Sequence, residues 1–132
     1  METSTGTPRK RHVLIVDDDV ELSWSFKQTL ESCGYDATIV PDGALALKFV
    51  QDHQLDAVVC DLEMARLEGD LLYAAIERSN PALARRFVFI TGLARDAQLR
   101  KFVGIEDMPV LNKPVLLEAL LGEVARVANG AL

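Results

Sequence analysis

Cysteine is scarce in this chain, with two in 132 residues, and Cys33 and Cys60 lack the spacing of a metal knuckle or a disulfide framework. Cys60 lies inside an apolar run and reads as a small core residue. Histidine is equally rare: His12 and His53 stand apart, flank predicted elements and read as surface residues with no catalytic part. No apolar run approaches the ~20 residues of a membrane span, and no signal-peptide core follows Met1. The expectation is a cytoplasmic protein with no membrane partner. Basic residues are outnumbered, and a net charge of −6 argues against direct binding to nucleic acid. Glycine-rich phosphate cradles are missing, as is any Ser or Cys nucleophile paired with histidine. Nucleotide binding by a glycine loop and triad-type hydrolysis are thereby set aside. What remains, 49% apolar and 26% charged, is the composition of one ordinary soluble domain with a real core.

The most informative stretch is Val13-Leu14-Ile15-Val16 followed at once by Asp17, Asp18 and Asp19. Four apolar residues, three of them β-branched, read as a strand buried on both faces. Adjacent carboxylates repel, so a positive group or a hard cation with oxygen ligands belongs beside them. The simpler alternative is that Asp18 or Asp19 only caps the next helix.

Residues 1–11 are polar and read as a disordered tail, with Arg9, Lys10 and Arg11 solubilising it. A helix over about 19–33 shows Leu22, Phe26, Thr29, Leu30 and Cys33 on one face and ends at Gly34. A second strand spans 37–40, and a helix over 43–53 buries Ala44, Leu47 and either Phe49 or Val50. The third strand, 55–60, ends on Asp61; a helix over 69–79 stops at Asn80-Pro81. The fourth strand, 87–90, leads into Thr91-Gly92 and a short helix near 95–103 carrying Leu99, Phe102 and Val103. A brief strand at 109–111 ends on Asn112-Lys113-Pro114, and a last helix fills 115–128.

Five strand–helix repeats with connections too long for hairpins predict an α/β fold, a parallel sheet covered on both faces. Ligands bind such sheets beyond the carboxyl ends of the strands. Those ends offer Asp17 and Asp18, Asp61, Thr91 and Lys113. Carboxylates with water suit Mg²⁺, while a lysine and a hydroxyl suit a phosphoryl group. The available nucleophile is then an aspartate, which can form an acyl phosphate.

At this point the chain resembles the receiver (response-regulator, CheY-like) domains of bacterial two-component phosphorelays, over residues 12–128. Four motifs in order carry the resemblance: Val16-Asp17-Asp18-Asp19; Asp61-Leu62-Glu63-Met64 with Gly69 eight residues beyond Asp61; Phe89-Ile90-Thr91-Gly92; and Leu111-Asn112-Lys113-Pro114. The resemblance implies a doubly wound (βα)5 fold, flavodoxin-like, with sheet order 2-1-3-4-5, and leaves 129–132 as a tail. It implies that Asp61 is the phosphoacceptor. It also implies Mg²⁺ held by Asp18, Asp61 and the Glu63 backbone carbonyl, with Asp17 acting through water. Thr91 matches the switch hydroxyl and Lys113 the phosphoryl-binding lysine, with a cis Lys113–Pro114 bond. The implied phosphodonor is a histidine kinase or histidine phosphotransfer protein. The implied output is a downstream protein bound by the fourth helix, fifth strand and fifth helix. Catalysis is confined to Mg²⁺-dependent self-phosphorylation and self-dephosphorylation.

Two positions depart from the family pattern. Val110 stands where a rotating aromatic is usual, and a β-branched side chain has little rotamer freedom to signal with. Ala65 replaces the usual proline after Met64, which leaves that loop less rigid. Competing readings are a phosphorylation-independent interaction module, a receiver fragment of a larger regulator or hybrid kinase, and a phosphatase-like hydrolase using Asp61. On the first helix, Val20, Ser23, Trp24 and Lys27 recur at helical spacing away from the core stripe, an expected docking face for the phosphodonor.

Overall fold

The computed structural model describes residues 9–62, 68–92 and 108–130. Its elements are β1 (His12–Val16), α1 (Val20–Ser32), β2 (Asp36–Val40), α2 (Gly43–Asp52), β3 (Ala57–Asp61), α3 (Glu68–Ser79), α4 (Pro81–Ala84), β4 (Phe87–Thr91), β5 (Val110–Asn112) and α5 (Leu117–Ala128). The strands form one parallel sheet in the order β2-β1-β3-β4-β5. The expected fold and sheet order are therefore present. The expected helix near 95–103, together with Glu63, Met64 and Ala65, lies outside the described residues.

Continuous apolar strands work here because each feeds two cores. Side chains alternate across a strand, so Val13 and Ile15 enter one cluster while Leu14 and Val16 enter the other. The first cluster is closed by Phe26 and Leu30 of α1 and by Leu120, Val124, Val127 and Ala128 of α5. The second is closed by Ala46 and Val50 of α2, Leu72, Tyr73 and Ile76 of α3, and Leu83 and Ala84 of α4. Tyr73, Phe87 and Phe89 meet there with ring centroids 5.3–5.5 Å apart. Burying any one of these large side chains contributes about 1.5–3 kcal/mol.

Helix ends follow the sequence signals, with some differences. Asp19 caps α1 by accepting from the Leu22 N–H at 3.1 Å, and Asp42 caps α2 by accepting from Leu45 at 2.9 Å. Gly34 adopts φ +94° after α1, as expected of a residue in the left-handed region. Asn80-Pro81 ends α3 but also opens α4, because the Asn80 side chain accepts from the Leu83 N–H and proline is at home in a first helical turn. In α2 the buried residues are Ala46 and Val50, and Ala44 is exposed. The Asp42 cap sets the helix phase so that 46 and 50, four residues apart, face the sheet. Cys33 is exposed as the residue closing α1, and Thr29 is half-buried. Cys60 is buried, as expected.

His12 belongs to β1 and is half-buried, with Nε2 2.8 Å from Thr38 Oγ1 and its ring edge-on to Phe49; His53 is exposed and stacks on Phe49 at 3.8 Å. Residues 9–11 are tied to the fold, which a free tail would not be. Arg9 pairs with Asp56 at 3.3 Å, and Arg11 donates to the Ala128 carbonyl at 2.6 Å. Arg86 reaches the same carbonyl, so two guanidinium groups cap the negative end of α5.

Candidate functional site

At the carboxyl edge of the sheet, Asp17 directly follows β1, Asp61 ends β3, Thr91 ends β4 and Lys113 directly follows β5. The ladder sets their levels. Asp61 lies opposite Ile90, Thr91 lies opposite Asn112, and the Lys113 N–H donates to the Thr91 carbonyl at 2.8 Å. The Asp17 N–H donates to the Val40 carbonyl at 3.1 Å, which pins the other flank. Four residues from four strand ends thus share one rim, although they are spread over 97 positions from Asp17 to Lys113 in the sequence.

The carboxylates cluster tightly. One oxygen each from Asp17, Asp18 and Asp61 lies within 4.8 Å of the others. Asp17 and Asp61 are 3% exposed, whereas Asp18 is open to solvent. Lys113 Nζ meets Asp61 Oδ2 at 3.1 Å. Asp17 Oδ1 accepts from the Asp19 N–H at 2.9 Å, but its buried Oδ2 has no hydrogen-bond donor. Burial, opposed by the Asp19 N–H and reinforced by the charge of Asp61, pushes the Asp17 carboxyl up to about 7. A buried, donorless carboxylate oxygen facing two other carboxylates is the electrostatic signature of a place for a cation, and an all-oxygen donor set fits Mg²⁺. The capping and the cation-site readings of the aspartate run each hold for different members. Asp19 caps α1, while Asp17 and Asp18 face Asp61.

Residues 13–125 match the response regulator receiver domain family. The chain belongs to that family. It is similar to the response regulator receiver protein CpdR of Brucella abortus (strain 2308), 27% identical over 121 residues that cover 92% of this chain and 99% of CpdR. It is also similar to the sensor kinase CckA of the same organism, 27% identical over 122 residues, but there it spans 91% of this chain and only 13% of CckA. Among solved structures, a response regulator receiver protein from Sinorhizobium medicae WSM419 superposes with a TM-score of 0.81 at 26% identity, covering 93% of this receiver and 98% of that chain. Receiver domains of two-component systems are phosphoacceptors rather than classical enzymes, bind Mg²⁺ through acidic residues and interact with histidine kinases.

The rest of the expected constellation is mixed. Thr91 is fully buried, and the Lys113–Pro114 bond is cis. Val110 is half-buried, opposite Phe89. On α1, Val20 and Trp24 are open, at 79% and 52% exposure. Ser23 is not: its hydroxyl folds back to the Asp19 and Val20 carbonyls at 2.8 and 3.2 Å, and the short side chain sinks into the receiver. Lys27 is half-buried, tethered to Glu31 and to the Ala37 carbonyl at the edge of the sheet. Of the four residues expected to form a docking face, Val20 and Trp24 are thus the exposed ones. Sequence reasoning passed over Leu116, which is 72% exposed just beyond Lys113-Pro114. A signal was available, since Val115-Leu116-Leu117 cannot all face the core in the first turn of one helix.

Proposed function

We propose that this receiver accepts a phosphoryl group on Asp61 from a phosphohistidine of a histidine kinase or phosphotransfer protein, in the cytoplasm, and switches a protein-binding surface in response. The observation that carries the reading is the Lys113 ammonium 3.1 Å from Asp61 Oδ2, with Asp17 and Asp18 oxygens within 4.8 Å of Asp61. In this role the Asp61 carboxylate attacks phosphorus in line, the P–N bond to the donor imidazole breaks, and an acyl phosphate forms. Lys113 offsets charge on the transferring oxygens, and the Thr91 hydroxyl donates to one of them. Asp18, Asp61 and the Glu63 carbonyl would hold Mg²⁺, with Asp17 behind them; the metal supplies charge neutralisation at the phosphoryl oxygens.

Val20 and Trp24, joined by Leu116, are proposed to receive the donor's helices, because α1 and α5 cover the same face and start at the same end of the sheet. The output is proposed to run through the segment 95–103, β5 and α5. With Val110 in place of an aromatic, movement of the Thr91 loop has to be read there without a rotating ring. Treatment with beryllofluoride or acetyl phosphate plus Mg²⁺ tests the assignment. Stoichiometric modification, lost in Asp61→Asn, is expected. Modification that persists in that variant would move the acceptor elsewhere, and none in the wild type would favour the phosphorylation-independent module.

A further inference from the structure

The sheet order leaves β2 at an edge, paired with β1 alone. Its even-numbered residues turn to β1: the Asp36 N–H donates to the Arg11 carbonyl, and the Val40 carbonyl accepts from Asp17. Ala37 and Ile39 therefore turn their N–H and C=O groups outward. The Ala37 carbonyl is taken by the Lys27 ammonium. The Ile39 N–H and C=O have no partner among the described residues. Beside this opening, between β2 and α2, lies a groove of about 410 Å³ lined by Ile39, Val40, Pro41, Leu45 and Phe49 together with Lys48, Asp52 and His53. Leu45 is 47% exposed.

We propose that this edge is a self-association surface on which two copies pair their β2 strands antiparallel about a two-fold axis at Ile39. In that register Ile39 faces its own copy, and the two exchange both backbone bonds as a closely hydrogen-bonded pair. Ala37 then comes opposite Pro41 of the second copy, which has no N–H to give. The carbonyl that proline leaves without a donor is the one Lys27 already serves, so pairing orphans no acceptor.

Neighbouring registers fail this test. An axis at Val40 sets the Ile39 carbonyl against proline with no lysine to replace the bond. An axis at Thr38 or Ala37 turns a backbone N–H of one copy onto the Lys27-occupied carbonyl of the other, where the Ile39 axis places a proline with no N–H. A second copy carries that proline at the matching place by construction. Residues 37–41 (Ala-Thr-Ile-Val-Pro) are uncharged, but the same register sets Asp36 opposite Asp42 of the second copy at each end, like charges that weaken the pair. A two-fold axis normal to the sheet keeps both α2 helices on one face and antiparallel, and Leu45 of each copy enters the groove of the other. An isologous contact of this kind closes at two copies.

The strand is short, so the dimer is expected to be half-formed at roughly 0.1–1 mM, the weak end for small interfaces. Each copy carries −6, so added salt should strengthen association by screening repulsion. Sedimentation velocity across that concentration range, with amide exchange at its two ends, tests this. A monomer–dimer equilibrium is expected. The Ile39 amide should slow with concentration, while Thr38 and Val40, turned to β1, stay constant. Ile39→Pro removes an N–H that no internal bond uses, so it should stay folded by circular dichroism and remain monomeric. Leu45→Asp, which leaves the strand untouched, should weaken the dimer at least tenfold and decides the matter if the proline variant unfolds. A monomer at the highest concentration, species beyond the dimer, or a dimer that survives both folded variants would overturn the proposal.

Discussion

Replacing Asp17 with asparagine should stabilise the metal-free receiver. The side chain is 3% exposed, its Oδ2 has no donor, and burial beside Asp61 lifts its carboxyl from 3.8 to about 7. Between those values the folded state binds a proton that the unfolded state has released. The stability this group contributes is complete below pH 3.8 and is lost as pH rises through about 7. Each tenfold change in proton affinity between the two states corresponds to about 1.4 kcal/mol. Water reaching the open rim through exposed Asp18 reduces the full figure, leaving about 1–3 kcal/mol at pH 8. For a domain of this size that is a rise in Tm of roughly 3–10 °C for Asp17→Asn in EDTA. Thermal melts at pH 5.5 and pH 8 should show the wild type losing stability relative to the variant as pH rises. Mg²⁺ should narrow the gap, because only the wild type gains the full binding term. An unchanged or lower Tm for Asp17→Asn at pH 8 in EDTA would refute the reasoning, since it would mean that the carboxylate carries no electrostatic penalty.

Asp18→Ala should weaken Mg²⁺ binding at least tenfold, about 1.4 kcal/mol, by titration calorimetry, and an unaltered titration would remove Asp18 from the proposed ligand set. Trp24→Ala should leave folding and acetyl-phosphate labelling near wild type yet slow transfer from the cognate phosphohistidine protein about tenfold; equal slowing with both donors would show that Trp24 supports the site rather than the docking. Burial depresses His12 below 6.5, against the pull of Asp36 and Asp56 and aided by His53 and Arg9. Its stability contribution is therefore whole above pH 6.5 and declines as pH falls, and an NMR titration of the ring with a midpoint at or above 6.5 would contradict this.

Strand periodicity, the paired Asp and Gly punctuation, and the residues ending each apolar run were legible in the linear chain, because a parallel strand buried on both faces has to be apolar throughout and cannot absorb a charge until it ends. Asp17, Asp61, Thr91 and Lys113 were readable for that reason. Which aspartate caps and which faces the site was not readable, since Asp18 and Asp19 are chemically identical and only the direction of the chain leaving β1 sends Asp19 to the Leu22 N–H. The fates of Ser23 and Lys27 were equally hidden. Helical spacing gives an angle around an axis, but how deeply α1 beds into the sheet, and that the Ala37 carbonyl waits within reach of the ammonium, are facts of packing. The phase of α2, with Ala46 inward and Ala44 outward, came from a cap and a contact rather than from hydrophobicity, because alanine is at home in either place. Composition and period determined which elements exist and what stands at their ends. Only the assembled sheet decided which of those end groups touch, because that depends on distances between residues far apart in the chain.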